Sequence, residues 1–324
     1  MDRILEKVSD PSALSDMLRD RAFMLQKARD FFADRGVLEV DCCALSSRAA
    51  IDSNIDVISS SVSDRETGFL HTSPEYAMKR LLAKGSGDIY YLGHVFRKGD
   101  IGRIHNPEFA MAEWYRLGLS FSDLIEETCS FLSLFFGPLP IQTISYREAF
   151  ARYVGIDYTA ASLSTIKEAA RKFAAVDSEN WNRDTYLHFL LTHAIEPHLG
   201  RKELTVFTDY PPNEAALAQV VEKNGEKVAE RFEIYYESVE LANGYHELAD
   251  ASELRRRFQE ENETRRSQNK EIYLLDEPFL AAIENGFPEC CGVSVGFDRA
   301  FMLRRKAKSI AEVLPFAWGH SFEV

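Results

Sequence analysis

Apolar positions at Leu14, Met17, Leu18, Leu25, Ala28 and Phe32 recur at helical spacing, and Gly36 stands where such a helix would be capped. A short strand, Val37 to Val40, is expected directly after it. The polar, turn-rich stretch 46–68 reads as a surface excursion or short hairpin. Ser73 as N-cap and Pro74 as first helical residue predict a helix running through Leu82. Period-2 alternation then predicts a strand over Ile89–Arg97, a polar loop over 98–106 and a returning strand over Pro107–Tyr115. Phe121–Phe136 is helical, and so are three stretches within 145–200: Tyr146–Val154, Leu163–Phe173 and Asp184–His198. Further on, the pattern gives a strand at Leu204–Phe207 and a hairpin over Arg231–Asp250 turning near Glu237-Ser238. Helices at 252–267 and Pro278–Asn285 follow, then a strand ending at Gly296 and a helix over Ala300–Arg304. No repeat or linker divides the chain, so one domain over 1–324 with a helical insertion at about 140–200 is expected.

The pattern also sorts candidate chemistry onto faces. Alternation puts Phe109, Met111, Glu113 and Tyr115 on one side of the returning strand, with Phe109 and Glu113 about 13 Å apart. Arg97 ends the outward limb, and Arg103, His105 and Asn106 lie in the loop. An aromatic plate at one end and a carboxylate with a phenol at the other suit a nucleotide and a cationic amino acid; an ordinary long hairpin is the alternative. In the later hairpin a two-residue turn makes Tyr235 face Glu240, with Glu233 on the same side one pair further. Two carboxylates so close call for a cation, and a hard ion such as Mg²⁺ carrying phosphate oxygens is the natural occupant. An exposed acidic face is the alternative there. Strict alternation turns Asn243, Tyr245 and Glu247 away from Glu240, so a shared site needs a bulge, expected at Asn243-Gly244. In Gly292–Arg299, glycines allow close backbone approach, Asp298 can cap the last helix and Arg299 can reach a phosphate.

Composition narrows the partners. Apolar residues make up 45% and charged residues 27%, as in globular chains, and no apolar run approaches a membrane span. The first residues lack the apolar stretch of a secretory signal, and the five cysteines have no C-x-x-C spacing, so a reducing cytoplasm is expected. The formal net charge of −13 opposes binding nucleic acid over a broad surface. No G-x-x-x-x-G-K-[ST] is present, which leaves a P-loop kinase unsupported. His188, His193 and His198 are spaced by five and do not share a helical face as metal ligands would.

Taken together, three segments resemble the class II aminoacyl-tRNA synthetases. Gly36-Val37-Leu38-Glu39-Val40 is similar to motif 1, Phe96-Arg97 with His105-Asn106-Pro107-Glu108-Phe109 to motif 2, and Gly296-Phe297-Asp298-Arg299 to motif 3. Thr72-Ser73-Pro74-Glu75-Tyr76, Glu113-Trp114-Tyr115 and Glu240-Leu241-Ala242-Asn243-Gly244-Tyr245-His246-Glu247-Leu248 resemble the lysine-type members. No anticodon-binding domain is expected ahead of motif 1, and the likeness is then to their truncated paralogues. That family attaches a lysine, preferentially (R)-β-lysine, to a lysine side chain of elongation factor P.

The resemblance implies an α+β chain with an antiparallel sheet flanked by helices, and ATP-dependent formation of an aminoacyl-adenylate. Arg97 would hold the α-phosphate, Arg299 the γ-phosphate and Phe109 the adenine. Lys98, Gly99, Asp100, Asn106, Leu241 and Gly296 would complete the ATP site, with Glu233 and Glu240 holding Mg²⁺. Glu75, Glu113, Tyr115, Asn243 and Glu247 would receive the two ammonium groups of lysine or β-lysine, with Ser73, Pro74, Tyr245 and Ser294 around them. It also implies a cytoplasmic homodimer formed through motif 1, with elongation factor P as protein substrate and no tRNA. Three departures stand out: Gly99 where the family has Glu, Cys43 where motif 1 ends in Pro, and Ser294 where the ligases have Ala and the synthetases Gly. A minimal synthetase charging tRNA or making dinucleotides, or an inactive binding paralogue, are the alternatives.

Overall fold

The computed structural model describes residues 11–173 and 181–319. In chain order the elements begin with α1 (Pro11–Ala33), β1 (Leu38–Glu39), β2 (Leu45–Ser46), β3 (Ser59–Ser63), β4 (Glu66–Leu70) and α2 (Glu75–Leu82). Next come β5 (Ile89–Phe96), β6 (Glu108–Leu117), α3 (Phe121–Phe136) and β7 (Ile141–Ser145). Helices α4 (Tyr146–Ala149), α5 (Leu163–Arg171) and α6 (Arg183–Leu190) lead to β8 (Leu204–Tyr210), β9 (Val220–Lys223), β10 (Glu226–Tyr236) and β11 (Val239–His246). The chain continues through α7 (Ala251–Ser267), α8 (Glu277–Glu284), β12 (Cys290–Gly296) and α9 (Phe297–Arg304). Most strand pairs are antiparallel, as an α+β chain requires. Two compact units emerge, 1–137 with 247–324, and 138–246.

In the first unit, β1 runs parallel to β5, while β5–β6 and β6–β12 are antiparallel. A small sheet of β2, β4 and β3 stands apart. Helices α3 and α9 pack on β6 and β12. The aromatic ring of Phe32 on α1 stacks on Tyr90 of β5 at 4.1 Å between centroids and meets Trp114 of β6 at 5.2 Å. Phe131 of α3 closes the group against Phe32 and Trp114. Each fully buried aromatic of this kind contributes roughly 1.5–3 kcal/mol by burial alone, so this cluster pins the sheet that carries the candidate site. Helix α3 keeps the predicted bounds because Ser120 caps its start and Gly137, at φ 74°, ends it.

In the second unit, β7 pairs parallel with β8, and β8, β10 and β11 continue antiparallel, with β9 hairpinned onto β10. Its core gathers Tyr146, Phe150, Ile166, Leu190, Phe207 and Tyr210 between the helices and the sheet. Strand β10 starts at Glu226, earlier than the sequence pattern suggested, after a turn through Asn224 and Gly225, both at positive φ. The predicted turn at Glu237-Ser238 is present, with both residues left-handed (φ 49° and 60°) and Tyr236 paired to Val239.

Two local expectations need correcting. Ser73 does not cap α2: the N-cap is Pro74, and the Ser73 hydroxyl accepts from the Glu75 amide while donating to Glu113. The bulge expected at Asn243-Gly244 is not there. Pairing runs unbroken from Ile234↔Ala242 to Arg231↔Tyr245, and the shift falls between Ile234 and Tyr235, leaving Leu241 as the extra residue. At its observed place the bulge still turns Asn243 and Tyr245 to the face of Glu240. Glu240 pairs with Tyr235 and Asn243 with Glu233, so Glu240, Asn243 and Tyr245 share one face.

Candidate active site

Strand β6 organises the first unit's site. Tyr91 of β5 and Ser294 of β12 flank Glu113 as its ladder partners, and Gly292 lies opposite Tyr115. Glu113 is 2% exposed. Its Oε2 accepts from Ser73 Oγ at 2.6 Å and its Oε1 from Tyr115 Oη at 2.9 Å. Both partners are neutral hydroxyls. Burial, and next the charge of Glu75, push the Glu113 carboxyl up to about 8, against the pull of Ser73, Tyr115 and Lys79. Burial and the same carboxylates hold the Tyr115 phenol well above its ordinary value, so it stays a donor.

Beside this pair sits a residue the sequence reading did not single out. Lys79, on α2 one turn beyond Glu75, has a fully buried side chain. Its Nζ lies 2.6 Å from Glu75 Oε1 and 2.6 Å from Glu247 Oε2. Burial alone would push this ammonium down; the Glu247 and Glu75 carboxylates outweigh it, and the pKa stands above the ordinary lysine value. Glu247 is itself 1% exposed, and its Oε2 is held by the chain's own ammonium. Glu75 remains half-buried. Gly292 makes this packing possible, since a β-carbon there would collide with Glu247 Oε1 and the Tyr115 ring. The signal for Lys79 was present as an i,i+4 Glu–Lys pair on a helix.

At the other end of β6 the Arg97 guanidinium carbon sits 5.2 Å from the Phe109 ring centroid, and Arg97 Nε donates to Thr72 O at 3.4 Å. Arg299, on α9, donates from Nε to Ile104 O and places Nη2 2.7 Å from His105 Nε2. Burial, and then the charge of Arg299, lower the His105 pKa, which keeps its ring a neutral acceptor. Asn106 is buried and spends its side chain on the chain itself: Nδ2 donates to Glu108 O, and Oδ1 accepts from Trp318 N. It therefore shapes the loop rather than reaching outward.

Asp298 does not cap α9. It is 1% exposed, accepts from the Ala110 amide at 2.7 Å and pairs with Arg21 of α1 at 2.5 Å. That tie locks α9, and with it Arg299, to the strand carrying Phe109; no local pattern could have indicated Arg21. Gly296 is the N-cap of α9. In the loop, Lys98 and Gly99 are exposed and Asp100 half-buried. Gly99 holds φ 84°, a left-handed conformation in which a glutamate side chain would be strained.

The second unit presents the acidic hairpin. Glu233, 6% exposed, gives Oε1 to Arg231 Nη2 at 2.5 Å and Oε2 to Tyr235 Oη at 2.6 Å. Arg231 in turn lies over the Tyr210 ring at 4.3 Å and donates to Glu214 O. Glu240, Asn243 and Tyr245 are half-buried on the same face, whereas Leu241 is buried. Among the described residues, no group of three or more His, Cys, Asp or Glu is arranged to hold a metal ion. None of their helices is long and apolar enough to cross a membrane.

A sheet of this kind, with arginines at one end of a strand and buried carboxylates at the other, defines a class of ATP-using synthetase domain. Residues 3–318 match the class II tRNA synthetases (D, K and N), and the chain belongs to that family. Among curated relatives, it is 42% identical over 321 residues to the elongation factor P–(R)-β-lysine ligase of Haemophilus ducreyi, covering 97% of this chain and 98% of the relative. The ligase of the same name from Haemophilus influenzae strain PittGG is 41% identical over 95% of the chain and 96% of its own length. That of Klebsiella pneumoniae is 40% identical over 94% and 96%.

Proposed function

We propose that the chain activates a diamine amino acid, lysine or (R)-β-lysine, with ATP and passes it to a lysine side chain of elongation factor P. The observation that carries this reading is Glu113: a buried carboxylate satisfied only by hydroxyls, in a pocket with more carboxylates than ammonium groups of its own. A ligand bringing positive charge on an amine is what such a pocket lacks. The names of the relatives point to the same substrate and acceptor.

In the first step a carboxylate oxygen of the amino acid attacks the α-phosphorus of ATP, the bond from that phosphorus to the bridging oxygen breaks, and pyrophosphate leaves. The reaction needs positioning and charge neutralisation more than acid–base chemistry. Arg97 takes the α-phosphate and Arg299 the γ-phosphate, with Phe109 against the adenine and the Lys98–Asp100 loop beside the nucleotide. The neutral His105 keeps Arg299 aimed without adding a competing cation. Glu75, Glu113 and Tyr115 face the ammonium groups, and Ser73 and Ser294 shape the pocket around Glu113. In the second step the acceptor amine attacks the adenylate carbonyl, an amide forms, and AMP departs with the anhydride oxygen.

The donor chemistry of the second unit fits a magnesium ion in part. Glu240, half-buried on the hairpin face, is the carboxylate suited to hold such an ion. Glu233 joins only if Arg231 and Tyr235 release it. When bound, the ion supplies charge neutralisation on the phosphates. We place the enzyme in the cytoplasm as a homodimer that takes no tRNA; the exposed Leu18, Phe23 and Leu38 of α1 and β1 support pairing there.

The test is pyrophosphate exchange with ATP, Mg²⁺ and lysine or β-lysine, followed by mass spectrometry of elongation factor P. Exchange and a factor heavier by one acyl lysine are expected. No exchange with any diamine acid would favour an inactive paralogue, and a charged tRNA beside an unmodified factor would favour a minimal synthetase.

A further inference from the structure

We infer that Lys79 is a positioning residue of the amino-acid pocket, a resident ammonium that fixes how much positive charge a substrate must bring. The inference rests on the reading of the pocket as a diamine site and extends it to a residue which that reading does not use. Its geometry is unusual for a lysine. The side chain is wholly buried, and Nζ contacts two carboxylates from different parts of the chain, Glu75 of α2 and Glu247 just after β11, each at 2.6 Å. Lysine is rarely buried unless paired, and a buried cation shared between two anions is held in one place by both.

Counting formal charges explains the consequence. Glu75, Glu113 and Glu247 carry three negative charges when ionised and Lys79 one positive, a surplus of two. A substrate with two ammonium groups balances it; one with a single ammonium leaves a buried carboxylate uncompensated. Lys79 acts through its neighbours. It holds Glu247 against the Gly292 backbone and the Tyr115 ring, and it turns one oxygen of Glu75 inward. Without Lys79, Glu75, Glu113 and Glu247 would compete for protons. Besides the Ser73 hydroxyl, the titratable groups around Glu113 are Glu75, Lys79, Tyr115, Tyr91 and Cys42. Only Lys79 among them is a cation, so its loss would move the ionisation of Glu113 further up.

Three variants test this by diamine-dependent pyrophosphate exchange. Lys79→Ala opens a space for a short alkylammonium, Lys79→Met fills that space with an apolar chain, and Lys79→Met/Glu247→Gln removes the cation together with its buried counter-ion so that the protein folds. In Lys79→Ala, KM for lysine should rise roughly 30-fold at neutral pH, the equivalent of about 2 kcal/mol, with a smaller change in kcat. The limb on which activity rises with pH should shift upward, and propylammonium should restore KM. Propylammonium should leave Lys79→Met unchanged, and the double variant should fold with raised KM. Folded variants with unchanged KM, an unmoved pH limb and no response to propylammonium would overturn the inference while leaving the proposed function standing. Absence of exchange in the unsubstituted chain would instead remove the proposed function, and the inference with it.

Discussion

Both units bury carboxylates, and both supply a cation from their own chain, but they finish the task differently. In the second unit Arg231 and Tyr235 together satisfy both oxygens of Glu233, and the charge is closed internally. In the first unit Lys79 serves Glu75 and Glu247, while Glu113 is left to two hydroxyls. An arginine against one carboxylate makes a self-sufficient pair. One lysine shared by two carboxylates, with a third beside them held only by hydroxyls, leaves a demand that a ligand meets. The contrast separates acidic groups that build the fold from those that wait for a substrate, a distinction that a count of glutamates cannot make.

The comparison can be broken at either end. The largest effect is expected at the closed pair. Arg231→Met should leave Glu233 buried without compensation and cost about 3–5 kcal/mol, seen as a large fall in the melting temperature. Arg231→Met/Glu233→Met should recover much of that loss. If the single variant melts like the parent, Glu233 is not closed internally. A smaller and opposite effect is expected at the open site. The Glu113 carboxyl is raised in the folded state to about 8, so between its ordinary value and 8 the folded chain binds more protons than the unfolded one. Stability should therefore fall as pH rises through that window. Glu113→Gln carries no such penalty and should melt above the parent beyond pH 8. It should also lose about 2 kcal/mol of diamine recognition, roughly 30-fold in kcat/KM. A variant that is less stable than the parent at pH 9 would contradict the assignment.

What the sequence made legible follows from how local each cause is. Helix α3 and the turn at Glu237-Ser238 are set by residues within a few positions of one another, and both were predicted in place. The Asn224-Gly225 turn carries an equally local signal, and it sets the start of β10 and its hairpin with β9, neither of which the apolar pattern shows. The bulge was needed but misplaced. Alternation shows that one residue must be extra, while packing on both faces decides that it is Leu241. Ser73 keeps its hydroxyl as acceptor for the Glu75 amide and spends its proton on Glu113, forty residues on, a second bond that no local pattern indicates. The shared face of Phe109, Glu113 and Tyr115 was readable because alternation along one unbroken strand sets it. Lys79 lies one turn from Glu75 and Arg231 two residues from Glu233, spacings common on solvated faces; burial, which only the fold decides, gives each its role. The Arg21–Asp298 pair spans most of the chain and had no sequence signal.

The open carboxylate is tested most directly by titration calorimetry of lysine binding in buffers of different ionisation enthalpy. With Glu113 protonated in the ligand-free pocket and ionised against the ammonium, binding at pH 7 should release close to one proton per lysine, and release should vanish above pH 9. Binding without proton release at pH 7 would mean that Glu113 is already charged before the substrate arrives, and the distinction between the two units would fall.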